Sequence, residues 1–177
     1  MRLMTGSLPS PVGPLLLVWD EDATLRALDF ADYEPRLRRL LQRYYGAAEP
    51  APAAVPQAFV VPLGAYFAGA FAALDGIAIG TGGSAFQRLV WAALRAIPPG
   101  VTESYGSLAA RIGRPSAVRA VGLANGANPI AIIVPCHRVI GADASLTGYA
   151  GGLPRKRWLL EHEGVRLADP AARRSAA

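Results

Sequence analysis

The sequence predicts an α+β protein in which strands come first and helices follow. Three observations predict it. Short apolar runs with strand character fill residues 3 to 32. From Glu34 onward, apolar residues recur at helical spacing. Glycine and proline clusters, above all Thr81-Gly82-Gly83, then divide the chain into a first block and a longer, mostly helical second one. Strands followed by helices belong to α+β folds or to two joined domains. The expected division is an α/β domain over 1–80, a helical domain over 84–166, and a loose tail over 167–177.

In the first block, Leu15-Leu16-Leu17-Val18-Trp19 is an apolar strand after Pro14. Leu25 to Phe30 pairs with it across the charged turn Asp20-Glu21-Asp22, giving a hairpin. Glu34 to Tyr45 places Leu37, Leu40, Leu41 and Tyr44 on one helical face. Arg36, Arg38, Arg39 and Arg43 fall off that face and read as a solvated surface. Residues 47–56 form an Ala/Pro-rich loop. Leu63 to Leu74 is a second helix, stopped at Asp75-Gly76, with Tyr66, Phe67 and Phe71 in the core.

The second block opens with Ser84 as N-cap. Phe86, Leu89, Val90, Ala93, Leu94 and Ile97 make an apolar stripe, and Pro98-Pro99-Gly100 ends the helix. Trp91 is expected at the edge of that core. A helix-turn-helix follows: Tyr105 to Ile112, the turn Gly113-Arg114-Pro115, then a helix from Ala117 to about Ala124 capped by Ser116. That second helix is small and smooth, with Arg119 as its one long polar side chain. Such a surface suits the minor groove, where sequence readout is weak, better than base reading in the major groove. Residues 125–129 form a tight turn, Ile130 to Val134 a strand, and 141–152 a glycine-rich loop. The last helix runs from Arg155 to about Glu163, with Pro154 in its first turn and Gly164 beyond its end.

Composition bounds the function. An apolar content of 52% with 18% charged residues describes a folded domain, not a disordered one. The net charge of +5 is compatible with a polyanionic partner. Basic residues are almost all Arg, with Lys nearly absent. One cysteine excludes an internal disulfide, and one Cys with two His leaves no Cys/His zinc set. No secretory signal or membrane-length apolar run is visible, so a cytoplasmic location is expected.

The single cysteine, Cys136, ends the apolar run 130–134 after Pro135, with His137 beside it. Cysteine beside histidine is a candidate nucleophile and base. Neighbours on an extended strand point to opposite faces, so contact between them needs a bridging water or a turn beginning at Cys136.

The residues around this pair resemble the O6-alkylguanine-DNA alkyltransferases, also called methylated-DNA–protein-cysteine methyltransferases. Pro135-Cys136-His137-Arg138-Val139 is the signature. Ser104-Tyr105-Gly106, Arg114-Pro115, Arg119-Ala120-Val121-Gly122 and Asn128-Pro129 precede it. Thr147-Gly148-Tyr149-Ala150-Gly151-Gly152 and Trp158-Leu159-Leu160-Glu161-His162-Glu163-Gly164 follow, so the likeness runs in order from Ser84 to Gly164.

The resemblance implies an RNase H-like N-terminal domain and a helix-turn-helix domain carrying the active cysteine. It implies a partner, double-stranded DNA containing O6-alkylguanine, bound through the minor groove by a chain that is monomeric without DNA. No cofactor or metal is implied here, because the zinc ligands some relatives carry in their N-terminal part are missing. Cys136 is then the nucleophile, His137 its base through water, and Glu163 the group that orients His137. Tyr105 matches the donor of a proton to N3 of the leaving guanine. Arg119 matches the finger that fills the gap left by a flipped nucleotide. Asn128 matches a residue tying the turn to the active-site segment, and the Val139 carbonyl one that recognises the base. Tyr149 matches a pocket wall. Arg114 and Ser116 fall among the DNA contacts. Ala150 stands where some relatives have serine, and Asn125 where some have a bulkier apolar residue. Both changes widen the expected pocket toward alkyl groups larger than methyl. His162 is expected at the surface.

The expected reaction is an SN2 transfer of the alkyl group from guanine O6 to sulfur. The thioether product has no easy leaving group, so each molecule acts once. O4-alkylthymine is an expected lesser substrate. A non-catalytic lesion binder of the same fold and a helix-turn-helix regulator are the alternatives. A Cys/His hydrolase stands behind both, because no oxyanion motif accompanies the pair.

Overall fold

The computed structural model describes residues 1–46 and 49–167. The expected tail at 167–177 therefore lies, apart from Leu167, outside the described residues. Strands β1 (Leu3–Leu8), β2 (Leu15–Asp20) and β3 (Leu25–Phe30) form an antiparallel meander. A two-residue strand, β4 (Ala51–Pro52), adds to the far edge of β1 in parallel, giving the order β3-β2-β1-β4. The expected loop after the first helix thus contains a strand too short and proline-rich to signal itself.

Helix α1 (Glu34–Tyr45) covers one face of the sheet, burying Leu37, Leu40 and Leu41 as their spacing requires. Helix α2 (Gln57–Phe67) starts earlier than expected and carries Pro62 inside it. The chain from Phe71 to Gly76 is a separate 3-10 turn, so the expected helix 63–74 is two shorter elements. Pro62 lies in the second turn of the helix, where its missing N–H removes one i→i−4 hydrogen bond.

Residues 80–82 are not free. Tyr45 Oη donates to Gly80 O at 2.8 Å and accepts from Gly82 N at 3.0 Å. Helix α3 (Ala85–Arg95) begins with Ser84 in a full capping box with Gln87, as the sequence predicts. Two expectations about α3 are corrected. Leu89 is exposed, so the apolar stripe is narrower than its spacing suggests. Trp91 lies inside the core, not at its edge, and its indole Nε1 donates to Ala124 O at 2.9 Å.

The helix-turn-helix is α4 (Tyr105–Arg111), capped by Ser104, and α5 (Val118–Gly126). Ser116 does not cap α5: the N-cap is Ala117, without a side-chain bond, and Ser116 sits in an exposed turn. The helix also runs two residues further than expected, so Asn125 and Gly126 end it.

The largest correction concerns residues 130–134, which are not a strand. Only Ile130 bridges, to Leu28 of β3. Val134 N bonds back to Ile130 O at 3.0 Å, and Ile132 takes a left-handed φ of 69°. A short, wholly buried β-branched run carries the same composition whether it is a strand or a folded core segment. What seats it is the edge of the first sheet: Leu28 N donates to Pro129 O at 2.9 Å, and Ala131 N donates to Leu28 O at 2.8 Å. The active-site segment is thus docked on the N-terminal sheet. Cys136 to Arg138 then form a 3-10 turn, and β6 (Val139–Ile140) pairs in parallel with β5 (Glu103–Ser104). Helix α6 (Leu153–His162) closes the fold with Pro154 in its first turn. No described helix is long and apolar enough to cross a membrane.

Candidate active site

Because a 3-10 turn begins at Cys136, consecutive side chains no longer alternate across a strand. A turn beginning at Cys136 is one of the two arrangements the sequence left open for the Cys136–His137 pair, a bridging water being the other. Cys136 is buried and lines a cavity of about 330 Å³ together with Tyr105, Asn125, Tyr149 and Ala150. Glycines at 122, 126 and 148 complete the wall and keep it open.

Asn128 Nδ2 donates to Cys136 Sγ at 3.1 Å and to Val134 O at 2.8 Å, while its Oδ1 accepts from Ile130 N at 3.0 Å. One buried amide therefore folds the 128–134 segment and aims a donor at the sulfur. Burial pushes the Cys136 thiol above its ordinary value. The Asn128 bond and the charges of Arg36 and Lys156 pull it back down. The resting group is a thiol surrounded by groups that favour its thiolate.

His137 is fully buried, and its Nε2 meets Glu163 Oε1 at 2.9 Å. Burial alone would raise the Glu163 carboxyl. Hydrogen bonds and charge from His137 and Arg138 outweigh it and hold the carboxyl far below the usual range. An ionised carboxylate only accepts, so His137 Nε2 carries the hydrogen. Burial lowers the imidazole's own pKa despite Glu163, leaving the ring neutral near pH 7. Nδ1 is then a bare lone pair, buried and without a hydrogen-bond partner among the described residues. Glu163 is locked in place, accepting from Arg138 Nε at 2.8 Å, Arg138 Nη2 at 2.9 Å and Tyr66 Oη at 2.7 Å.

Tyr105 lines the same cavity. Its hydroxyl is raised by burial, with a bond to Thr147 opposing the shift. The Tyr149 hydroxyl is buried without a hydrogen-bond partner among the described residues, and its ring packs edge-on against Phe30 at 6.2 Å. Val139 is fully buried, and its carbonyl accepts from Lys156 Nζ at 2.6 Å. Arg114, Ser116 and Arg119 lie apart from the cavity, exposed on the helix-turn-helix. On α5 Arg119 has apolar company, with Val118 40% and Leu123 69% exposed, so the outward face of α5 is both basic and apolar. His162 is half-buried rather than a surface residue: it stacks on Trp158 at 4.8 Å and bonds Tyr66 O at 3.0 Å.

Three residues were not singled out from the sequence. Arg36 leaves the solvated face expected for it and turns inward to Asp29, Gly126 O and Asn128 O. Lys156 is fully buried, bonding Val139 O and, at 2.8 Å, Thr147 O, so it joins two walls of the site. Burial lowers its pKa to about 8. It is the chain's single lysine among 18 basic residues, and that retained exception was the available signal. Tyr66 carried none beyond a core aromatic. Among the described residues, no group of three or more His, Cys, Asp or Glu is placed to hold a metal.

The chain matches two family models: 6-O-methylguanine DNA methyltransferase, ribonuclease-like domain, over residues 3–79, and the DNA binding domain of the same family over residues 85–165. A methylated-DNA–protein-cysteine methyltransferase of Salmonella typhimurium is 52% identical over 169 residues, covering 94% of this chain and 99% of that protein. The crystal structure of Mycobacterium tuberculosis O6-methylguanine methyltransferase superimposes with a TM-score of 0.74 at 44% identity, covering 97% of this chain and 99% of that one. A structure of the same protein in complex with DNA gives 0.73 at 43% identity, with 92% of each chain covered. With both models matched and this identity sustained over nearly its whole length, the chain belongs to the 6-O-methylguanine DNA methyltransferase family.

Proposed function

We propose that this protein repairs DNA by moving an alkyl group from O6 of guanine onto Cys136, once per molecule. The observation that carries the reading is a lone thiol lining a base-sized cavity, with an amide donor on its sulfur and, on the next residue, a buried histidine whose Nδ1 has no hydrogen-bond partner among the described residues. In the transfer, sulfur attacks the alkyl carbon, the carbon–O6 bond breaks, and the electron pair leaves on guanine. The thiol proton passes through a water to His137 Nδ1, and Glu163 steadies the imidazolium that forms. Tyr105 supplies a proton to the departing base at N3. The thioether is stable and the described cavity holds no second thiol to accept the group, so the protein is consumed.

DNA is the partner. The outward face of α5 enters the minor groove, Arg119 fills the space of the flipped nucleotide, and Arg114 and Ser116 hold the backbone. Its mix of small, apolar and basic residues supports minor-groove docking without sequence preference. Asn128 and Lys156 shape the site, Tyr149 forms its wall, and Ala150 leaves room for groups larger than methyl. O4-alkylthymine is a lesser substrate. The working arrangement is an N-terminal domain over 1–80 and a catalytic domain over 84–166, monomeric before DNA binding and cytoplasmic. A reactive thiol without disulfides suits a reducing compartment. A lesion binder that transfers nothing is disfavoured, because its cavity would need no sulfur with an amide donor aimed at it.

Intact-mass spectrometry after incubation with an O6-methylguanine duplex tests the reading. One methyl gained by the wild type and none by Cys136→Ala is expected. Tight binding without mass gain would overturn it.

A further inference from the structure

Glu163 Oε1 carries three donors. His137 Nε2 meets it at 2.9 Å, Arg138 Nη2 at 2.9 Å and Tyr66 Oη at 2.7 Å. Among the described residues, Oε2 receives only Arg138 Nε, at 2.8 Å. A carboxylate oxygen offers two lone pairs, so three donors share them and each weakens the hold of the others. One of the three comes from the N-terminal half: Tyr66 lies on α2, 97 residues before Glu163. It is fully buried, with its ring edge-on to Phe67 at 5.2 Å, Phe71 at 5.7 Å and His162 at 5.4 Å. Its carbonyl oxygen accepts from His162 Nε2 at 3.0 Å, so consecutive residues at the end of α6 bond the two ends of one tyrosine. Burial and the Glu163 charge raise the phenol, which therefore stays protonated and donates.

We propose that Tyr66 is a positioning residue for the transfer: by sharing Oε1 it keeps Glu163 an anchor for His137 while leaving the His137 Nδ1 lone pair free to take the thiol proton. The proposal rests on the alkyl-transfer reading above and adds to it a residue of the N-terminal half that does not line the cavity. An imidazole bonded to an unshared carboxylate oxygen is drawn toward imidazolium, and imidazolium has no lone pair left to accept that proton. The groups facing His137 pull both ways. Glu163, at the end of α6, favours imidazolium, while burial, Arg138 in the same 3-10 turn and Lys156 on α6 oppose it. The Tyr66 hydroxyl is neutral and acts on His137 through the oxygen they share. Removing it should give Oε1 back to His137 and make the ring more basic.

Tyr66→Phe keeps the packed ring and removes only the hydroxyl. The chain holds two histidines, so nitrogen-15 NMR of the imidazoles follows each ring through a pH titration, with His137→Gln assigning the signals. The midpoint for His137 is expected to rise in Tyr66→Phe by about half to one pH unit, the worth of an ordinary hydrogen bond. The acid limb of Cys136 alkylation by iodoacetamide should move up with it, because the base is lost at a higher pH. Arg138→Lys keeps the charge but takes one fork of the guanidinium from the same carboxylate, and should move the midpoint in the same direction. A hydroxyl that serves only the fold would lower the urea midpoint of Tyr66→Phe and leave the His137 titration where it was. That result overturns the proposal, and so does a shift in Arg138→Lys alone. A wild type that gains no methyl from an O6-methylguanine duplex would instead overturn the transfer reading, on which the titration does not depend.

Discussion

Arg36, on the first helix, donates through Nη2 to the carbonyl oxygen of Asn128 at 2.9 Å, 92 residues further along the chain. The same Asn128 places its side-chain amide on the nucleophilic sulfur. Arg36 also pairs with Asp29, which is 1% exposed. The N-terminal half thus fixes the backbone from which Cys136 is aimed. Its charge also favours the thiolate.

Replacing Arg36 with leucine should therefore strike twice. Removing one partner of a buried ion pair strands the other, at a cost of about 3–5 kcal/mol. The urea midpoint should fall accordingly, and Asp29→Asn in the same chain should recover part of it. The rate of Cys136 alkylation by iodoacetamide at neutral pH should also drop in folded protein. An unchanged thiol rate would confine Arg36 to stability.

Gly151 marks a second contact between the halves. A Cβ there would lie 2.2 Å and 2.6 Å from ring carbons of Phe30, which is fully buried and has Arg155 over its face at 4.4 Å. That ring has no room to yield. Gly151→Ala should destabilise by about 1–3 kcal/mol, the range for overpacking a core, and displace the loop carrying Tyr149 and Ala150. Phe30→Leu should restore much of the loss in the double variant. Additive losses in denaturant melts would show that the two residues do not collide.

Much of this site was legible before any coordinates. Cys136, His137 and Glu163 came from the motif, and Ser84 capped its helix as read. Folding of 130–134 was not legible, because an apolar run buried on all sides carries no periodicity to separate a strand from a coiled core segment. Arg36 was misread for a related reason. It does lie off the apolar face of its helix, but the surface beside that face is covered by residues 126–128, and helical spacing says nothing about distant chain that packs there. Ser116 failed as a cap because the turn runs one residue longer, leaving Ala117 at the boundary.

The buried His137–Glu163 pair predicts how stability responds to acid. Both folded pKa values lie below their ordinary ones, near 6.5 for histidine and 4.5 for glutamate. The unfolded chain therefore binds protons first as pH falls. Glu163 contributes fully above about 4.5 and loses its contribution on descent toward its folded value. His137 begins earlier, because below about 6.5 the unfolded imidazole is protonated while the buried one stays neutral. Stability should thus decline from pH 6.5, at up to about 1.4 kcal/mol per pH unit for this one proton. His137→Gln keeps a donor for Glu163 but cannot titrate, so its urea midpoint should stay flat between pH 6.5 and 5. An identical acid limb in both proteins would assign the loss to other groups.

Arg119 supplies the last prediction. It stands exposed on α5, bonded to nothing among the described residues, one turn from exposed Leu123. A side chain left so free contributes nothing visible to the fold, so Arg119→Ala should leave the melting midpoint within about 0.5 kcal/mol of wild type. Its expected work is to hold the duplex open once a nucleotide has left the stack, a step costing a few kcal/mol in double-stranded DNA and far less in a single strand. Methyl transfer from an O6-methylguanine duplex should therefore slow by roughly ten- to a hundred-fold in the variant, while transfer from the single strand changes little. A plain phosphate contact would behave differently: it would weaken both substrates alike and reduce the salt dependence of binding by about one charge. Measuring transfer rates on both strands at two salt concentrations separates a finger from a backbone clamp.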